Sequence, residues 1–451
     1  MSYIGSTPTT QSFIAGTDYF NGTGSTTAFT LSRSVVSPND IQATVNNVVQ
    51  QPNDAYTVSG TTITFTSAPS AGTNNIYVRY LSTTTQSITP SQNTVSYSTL
   101  NSDNQSKLGI SFKNRLINGA MVIDQRNAGA SVNTSASGVG TYSLDRYAYV
   151  VAQASKFTIQ QNAGSVTPPA GFTNYLGVTS TSSYSSLSTD YFGVYQPIEG
   201  FNTADLNWGS ANAKTVTLSF WVRSSLTGTF SGSLLNNSYN YSYPFTYTIG
   251  AANTWEQKSV TIVGPTAGTW VGASNSIGIS LVFSMGYGSN YIGTANTWSA
   301  NAYYTVAGAQ SVVGTSGATW YITGVQLEVG TQATTFDYRS YGTELALCQR
   351  YFVKGISTAA AMGTVYASTA VALYIKVPVT MRATPSASLS SGTTVALDIA
   401  GTGSPTGTLN NFDQFSQYGC RLLLNLGTSA TVGQPAQAQQ GVDTIQVSAE
   451  L

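Results

Sequence analysis

Apolar and polar residues alternate with period two along most of the 451-residue chain, the pattern of half-buried β-strands. It predicts a first set of strands over 28–31, 41–45, 55–58, 62–65 and 76–81. Turn signals at Gly22-Thr23-Gly24, Pro38-Asn39-Asp40, Pro52-Asn53-Asp54, Ser59-Gly60 and Pro69-Ser70-Ala71-Gly72 recur about every 10 residues, as in a sandwich. A small β-sandwich over 1–81 follows. Residues 82–113 are polar and lack a sustained apolar period, as a linker or strand-exchange arm does. The block 114–340 predicts a large sandwich with strands over 215–223, 255–262, 277–283 and 319–328; Val216, Leu218, Phe220 and Val222 share one face. One short helix is predicted near Thr343, with that threonine as cap before Glu344 and with Leu345, Leu347, Cys348, Tyr351 and Phe352 at helical spacing. Strands over 370–378, 394–399, 420–426 and 444–451, with a loop tip at 401–407, predict a small C-terminal β-domain within 341–451. The fold class is all-β.

Composition narrows the function. Only 8% of residues are charged, the net charge is zero and 41% are apolar, so hydroxyl and amide groups must keep the chain soluble. Without a Lys/Arg excess it is expected to bind no nucleic acid. Without a run of about 20 apolar residues it is expected not to insert in a membrane. Residues 1–5 lack the basic and apolar regions of a secretory signal, which implies assembly in the cytoplasm. Cys348 and Cys420 are too few for a disulfide framework and read as buried thiols. The chain contains no histidine, which removes the commonest general base and every Ser-His-Asp or Cys-His arrangement; the expectation is a protein that is not an enzyme. Asp190, Glu199, Asp205 and Glu256 could supply a glycosidase acid pair, so a polysaccharide depolymerase stays open as the weaker alternative, although no parallel β-helix repeat appears. A jelly roll can hold a structural calcium on oxygen ligands, but no Asp-rich loop announces one, and no metal or cofactor is predicted. Asp124, Asp145 and Asp337 are expected to pair with Arg126, Arg146 or Arg339 or to cap turns.

Sugar sites combine flat aromatic faces with amide or carboxylate groups. Segments 236–243 and 287–291, which read as loops, carry both, and Trp298 adds a ring in a polar context. The candidate glycan residues are Tyr239, Asn240, Tyr241, Tyr243, Tyr287, Asn290, Tyr291 and Trp298. The competing reading is that these rings fill contacts between domains or subunits, where Tyr and Trp are equally enriched.

Three stretches carry a family resemblance. The opening, Tyr3-Ile4-Gly5, Phe20-Asn21-Gly22-Thr23-Gly24 and Val48-Val49-Gln50-Gln51-Pro52, resembles the N-terminal domains of phage tail fibres and related virion proteins. The middle resembles the carbohydrate-binding-module-like jelly roll of such fibres through Asn114-Arg115-Leu116-Ile117-Asn118-Gly119, Asp124-Gln125-Arg126, Leu144-Asp145-Arg146 and, most specifically, Gly324-Val325-Gln326-Leu327-Glu328-Val329-Gly330 with Glu344-Leu345-Ala346-Leu347-Cys348-Gln349-Arg350-Tyr351-Phe352. Residues 377–385 and 447–451 look like the distal portion. The resemblance implies a virion structural protein on the phage tail or capsid surface, docked to other virion proteins through residues 1–81 and binding a host surface glycan. Exposed sheet edges in such a chain favour a symmetric homo-oligomer, expected to be a homotrimer, whose repeated sites turn weak contacts into firm attachment. A head or capsid decoration fibre, or a collar protein without a receptor role, remains the alternative.

Overall fold

The structure is a computed structural model that describes residues 16–81, 113–135, 140–357, 361–389, 394–439 and 444–451. The opening motif Tyr3-Ile4-Gly5 and all of the linker expected over 82–113 except Lys113 lie outside the described residues. The chain divides into two compact units, Met1–Ser96 and Tyr97–Leu451.

In the first unit the strands are β1 (Thr17–Gly22), β2 (Ala28–Val35), β3 (Ile41–Val45), β4 (Val48–Val49), β5 (Tyr56–Phe65) and β6 (Gly72–Tyr80). They form a sheet in the order β1-β6-β3-β4 and a β2-β5 pair. The inward positions Leu31, Ile41, Tyr56, Ile63, Ile76 and Val78 make the core, and the buried Tyr56 hydroxyl donates to Ile41 O at 2.9 Å. One expectation fails: Ser59-Gly60 is not a turn. It lies inside β5, where Gly60 has φ 59° and sits opposite Val35.

The second unit opens with a two-sheet jelly-roll sandwich. Its strands are β7 (Val132–Asn133), β8 (Thr141–Leu144), β9 (Tyr147–Val151), β10 (Phe157–Gln161), β11 (Leu176–Ser180), β12 (Tyr191–Glu199), β13 (Val216–Ser224), β14 (Gly228–Asn236), β15 (Ser242–Ile249), β16 (Glu256–Ile262), β17 (Ile277–Tyr287), β18 (Ile292–Gly293), β19 (Thr305–Val306) and β20 (Thr319–Val329). One sheet runs β16-β13-β20-β11-β10-β7, the other β15-β14-β17-β12-β9-β8. Val216, Leu218, Phe220 and Val222 all enter the core between them, as period-two alternation dictates. Phe220 meets Phe283 edge-on at 5.2 Å, and the buried Trp320 donates its indole N–H to Tyr247 Oη at 2.9 Å. Large aromatic rings thus fill the layer, and the Trp320–Tyr247 pair satisfies the polar atoms it buries.

Helix α1 (Tyr341–Gln349) begins three residues before the expected start, because Ser340 rather than Thr343 is the cap; the Ser340 hydroxyl accepts from Thr343 N. The chain then forms β21 (Phe352–Ser357), β22 (Met362–Ala367), β23 (Ala370–Lys376), β24 (Ser386–Leu389), β25 (Thr394–Ile399), β26 (Thr406–Ser416), β27 (Gly419–Leu426), β28 (Pro435–Ala438) and β29 (Thr444–Ser448). Strands β22-β23-β27-β26-β25-β28 close a barrel and β21-β29-β24 form a separate sheet. Leu373, Leu397, Leu422 and Leu424 lie in the core they share. Cys348 and Cys420 are buried, unpaired thiols.

A charged junction ties the barrel region to the sandwich. The Glu450 carboxylate receives both Arg126 and Arg146, and Arg146 is only 1% exposed. The Arg146 guanidinium lies 3.6 Å from the Tyr351 ring centroid and that of Arg126 3.7 Å from Phe352's, so each cation is covered by an aromatic face. Arg382 donates to the carbonyls of Ala449 and Glu450, both at 2.7 Å. Glu199 accepts from Arg350 and from the Tyr351 hydroxyl, each at 2.6 Å. One expected pairing is corrected and the other two aspartates behave as expected. Asp145 does not pair with its neighbour Arg146 but accepts from Gln125 N at 2.7 Å and Gln125 Nε2 at 2.6 Å. Asp124 caps a turn, accepting from Asn127 N and Gly129 N. Asp337 does lie 3.7 Å from Arg339.

Two predictions follow from this junction. Replacing Glu450 by Gln strands the buried Arg146 and the half-buried Arg126 and should lower the unfolding free energy of the second unit by about 3–5 kcal/mol, measured by chemical denaturation; Asp205→Asn, which breaks the half-exposed pair with Arg115, should cost under about 1 kcal/mol. Burial raises the Asp145 carboxyl to about 6, so the folded chain holds a proton that an unfolded one, near about 3.9, has released. Stability from this group is then gained as pH falls from about 6 toward about 4 and is lost above about 6. The stability of the wild type relative to Asp145→Asn should accordingly improve between about pH 7 and about pH 4.5; a pH-independent difference would refute this.

Candidate functional site

The outer face of the β15-β14-β17-β12-β9-β8 sheet holds the candidate site. Along β12, Phe192 and Val194 enter the sandwich core, so Tyr191, Gly193 and Tyr195 point the other way. The same alternation turns Ile279, Leu281 and Phe283 of β17 inward and Val282 outward. Tyr287 at the end of β17, Tyr291 in the following turn and Tyr304 before β19 rise over this face. The Tyr287 and Tyr304 rings stack with centroids 5.0 Å apart and planes 4° from parallel. Tyr291 meets both edge-on, at 5.8 and 5.5 Å, and Tyr191 at 6.3 Å. The result is a cavity of about 330 Å³ lined by Tyr191, Tyr195, Tyr239, Tyr287, Tyr291 and Tyr304, with Val150 and Val282.

Gly193 makes this packing feasible. A Cβ there would lie 2.5 Å from the Tyr287 hydroxyl oxygen, so the missing side chain is the space that oxygen uses. The oxygen is buried and has no hydrogen-bond partner among the described residues. Burial raises the phenols of Tyr195, Tyr239, Tyr287 and Tyr304, and none of the lining side chains is an acid or a base of the Asp, Glu, Lys or Arg type. The cavity is therefore neutral, presenting aromatic faces and phenolic hydroxyls. Such a surface suits C–H-rich rings that carry hydroxyl groups and disfavours ions.

The eight candidate residues separate into two groups. Tyr239, Tyr287 and Tyr291 line the cavity. Tyr241, Tyr243 and Trp298 lie in another aromatic cluster, where Trp298 stacks on Tyr241 at 5.8 Å and meets Trp208 edge-on at 5.4 Å. Tyr243 is 8% exposed and belongs to the sandwich core. Asn240 is exposed and accepts from Asn236 Nδ2 at 2.7 Å within the β14–β15 hairpin. Asn290 is exposed in the turn beside Tyr291, and its backbone N–H donates to Ser188 O. Sequence reasoning missed Tyr191, Tyr195 and Tyr304; the spacing Tyr191-Phe192-Gly193-Val194-Tyr195, two outward rings flanking a glycine, was the available signal.

The four carboxylates considered for acid catalysis are dispersed. Asp190 accepts from the Tyr184 hydroxyl at 2.7 Å and from Leu187 N at 2.8 Å. Glu199 belongs to the junction, Asp205 pairs with Arg115, and Glu256 accepts from Gly250 N, Ala251 N and Lys258.

No protein-family model matches the chain, and no curated protein matches it. Solved structures similar to it include a bacteriophage CBA120 tailspike protein 4 enzymatically active domain, 12% identical with a TM-score of 0.25, covering 48% of this chain and 22% of that one. A Clostridium thermocellum endo-1,4-β-D-xylanase with its CBM22-1 and GH10 modules, complexed with xylohexaose, is 15% identical with a TM-score of 0.23, over 49% of this chain and 31% of that one. A family 11 carbohydrate-binding module from the same organism, in complex with a β-1,3-1,4-mixed-linked tetrasaccharide, is 10% identical with a TM-score of 0.23, over 45% and 96%. The chain thus spans under a quarter of the tailspike chain and nearly all of the isolated module. The expectation that the protein is not an enzyme is overturned by this set, which includes a tailspike's enzymatic domain and a xylanase. Its physical flaw is that glycosidic bonds are broken by paired carboxyl groups, for which the absence of histidine is irrelevant.

Two tyrosines whose buried hydroxyls differ in partners give a direct check of the packing. Tyr287→Phe removes a hydroxyl without a partner and should leave stability unchanged or slightly raised. Tyr247→Phe deprives the buried Trp320 N–H of its acceptor and should cost about 1–3 kcal/mol. Urea unfolding of both variants measures the contrast.

Proposed function

We propose that the chain is a fibre subunit on a phage virion and that its jelly roll attaches the particle to a neutral glycan of the host surface through the tyrosine cavity. The observation that carries this reading is the cavity itself: six tyrosines around about 330 Å³, with no charged side chain among its lining. A sugar ring offers apolar C–H faces to such rings and hydroxyls to the phenols. Tyr287 and Tyr304 are already stacked, so little ordering remains to be done on binding. The resemblance of the N-terminal stretch to virion-attachment domains supports docking of the first unit to the particle. Homotrimeric assembly would present the cavity three times on one fibre, and the gain through effective concentration lets each contact be weak.

A glycan array probed with the full chain should show a restricted set of neutral saccharides, and Tyr291→Ala together with Tyr304→Ala should reduce those signals at least tenfold. Virions carrying the same substitutions should assemble normally and adsorb poorly. Unchanged adsorption by these particles would reject the receptor role.

A further inference from the structure

A second cleft opens at the end of the same sandwich. One wall is the segment 203–210 after β12, and the other is 270–279, which leads into β17. Thr203, Asn207, Ser210, Trp208, Trp270 and Gly272 are among its lining, and it encloses about 260 Å³. Backbone bonds brace the cleft from its flanks: Gly200 N to Ser276 O and Phe201 N to Ser274 O hold the chain just before the first wall to the second, and Gly209 N donates to Pro265 O, each at 2.8–2.9 Å. Gly209 has φ 83°, and a Cβ there would meet the Trp270 ring at 2.9 Å; a larger residue would displace that indole.

Trp270 is fixed before any ligand arrives. Its N–H donates to Ala267 O at 3.1 Å, and its ring meets Trp208 edge-on at 4.8 Å and Trp298 at 5.5 Å. Beside it the cleft offers hydroxyl and amide groups. The Asn207 side chain is exposed and makes one long bond, 3.4 Å to Asp205 O, which leaves its amide with capacity for further hydrogen bonds. No charged side chain is among the lining residues, which disfavours a phosphorylated or carboxylated ligand. A rigid indole flanked by neutral donors and acceptors, in a space at the small end of ligand sites, is complementary to a single sugar ring.

We propose that this cleft, formed where residues 203–210 face Trp270 and Gly272, is a second saccharide site for a neutral pyranose. It is distinct from the tyrosine cavity and stands whether or not that cavity binds sugar. The two clefts are neighbours: the Tyr239 hydroxyl of the tyrosine cavity lies 3.2 Å from Ser280 Oγ, next along β17 to Ile279, which lines the second cleft. The hairpin between β14 and β15 separates the two clefts, with Tyr239 in one and Tyr241 against Trp270 of the other at 6.3 Å. A long polysaccharide could therefore be held at two points by one subunit, which multiplies avidity without new contacts.

Tryptophan fluorescence distinguishes the sites, since the tyrosine cavity has no tryptophan in its lining. The full chain is titrated with glucose, galactose, mannose, rhamnose, fucose and N-acetylglucosamine. At least one should change the emission saturably, and Tyr291→Ala should leave that response intact. A side chain at Gly272 meets nothing within 4 Å, so Gly272→Phe should fill the cleft, keep the unfolding midpoint and weaken the response at least tenfold. Asn207→Gly keeps the left-handed backbone at φ 53° while removing the amide, and should weaken it several-fold. Absence of a response to all six sugars overturns the proposal, as does wild-type affinity in both variants.

Discussion

The second unit depends on one carboxylate lying between two guanidinium groups. Isolated charges are costly to bury, and a single arginine at 1% exposure would oppose folding by several kcal/mol. Glu450 offsets two such costs at once, while the rings of Tyr351 and Phe352 cover the cations. Because Arg126 and Arg146 belong to the sandwich and Glu450 follows β29, the electrostatic requirement is also a positional one. The final segment must lie across the sandwich for either arginine to be tolerated.

That constraint shapes the face where the candidate site lies. The Tyr142 hydroxyl donates to Leu451 O at 3.1 Å, and Tyr142 packs beside Ala148, Tyr195 and Val282. The chain's last residues therefore border the sheet face that carries the tyrosine cavity. The cavity occupies sheet surface that this segment leaves uncovered, and its rigidity is inherited from strands already fixed on their other side by the sandwich core.

Strand content was legible wherever one face is buried and the other wet. The run 215–223 shows it best: all four alternating apolar residues enter the core. Legibility failed where alternation is broken. Strand β26 carries Asn410-Asn411 in its middle and register shifts at Leu409/Asn411 and Asp413/Ser416, so its apolar residues do not keep a period of two. Ser59-Gly60 has the composition of a turn, yet β5 runs through it, with Gly60 paired to Val35 beyond a register shift that follows Thr30. The ion pairs were misread for a different reason. Adjacent Asp145 and Arg146 point to different partners, and Arg146 finds Glu450 304 positions away, a distance that no local pattern encodes. The tyrosine cavity falls between these cases: its rings were visible as a Tyr-rich composition, but which of them converge depends on strand order, and Tyr241 and Tyr243 were separated from Tyr239 by the direction in which each leaves the hairpin.

The Arg126–Glu450 contact closes a loop of 324 residues. Closure entropy grows only slowly with such a length, but contacts this remote form late. During synthesis Arg126 precedes its counter-ion by 324 residues, so the cation must stay in water until Glu450 has been made. A chain cut short before residue 450 would therefore expose unneutralised cations where the chain that includes it has a sealed seam.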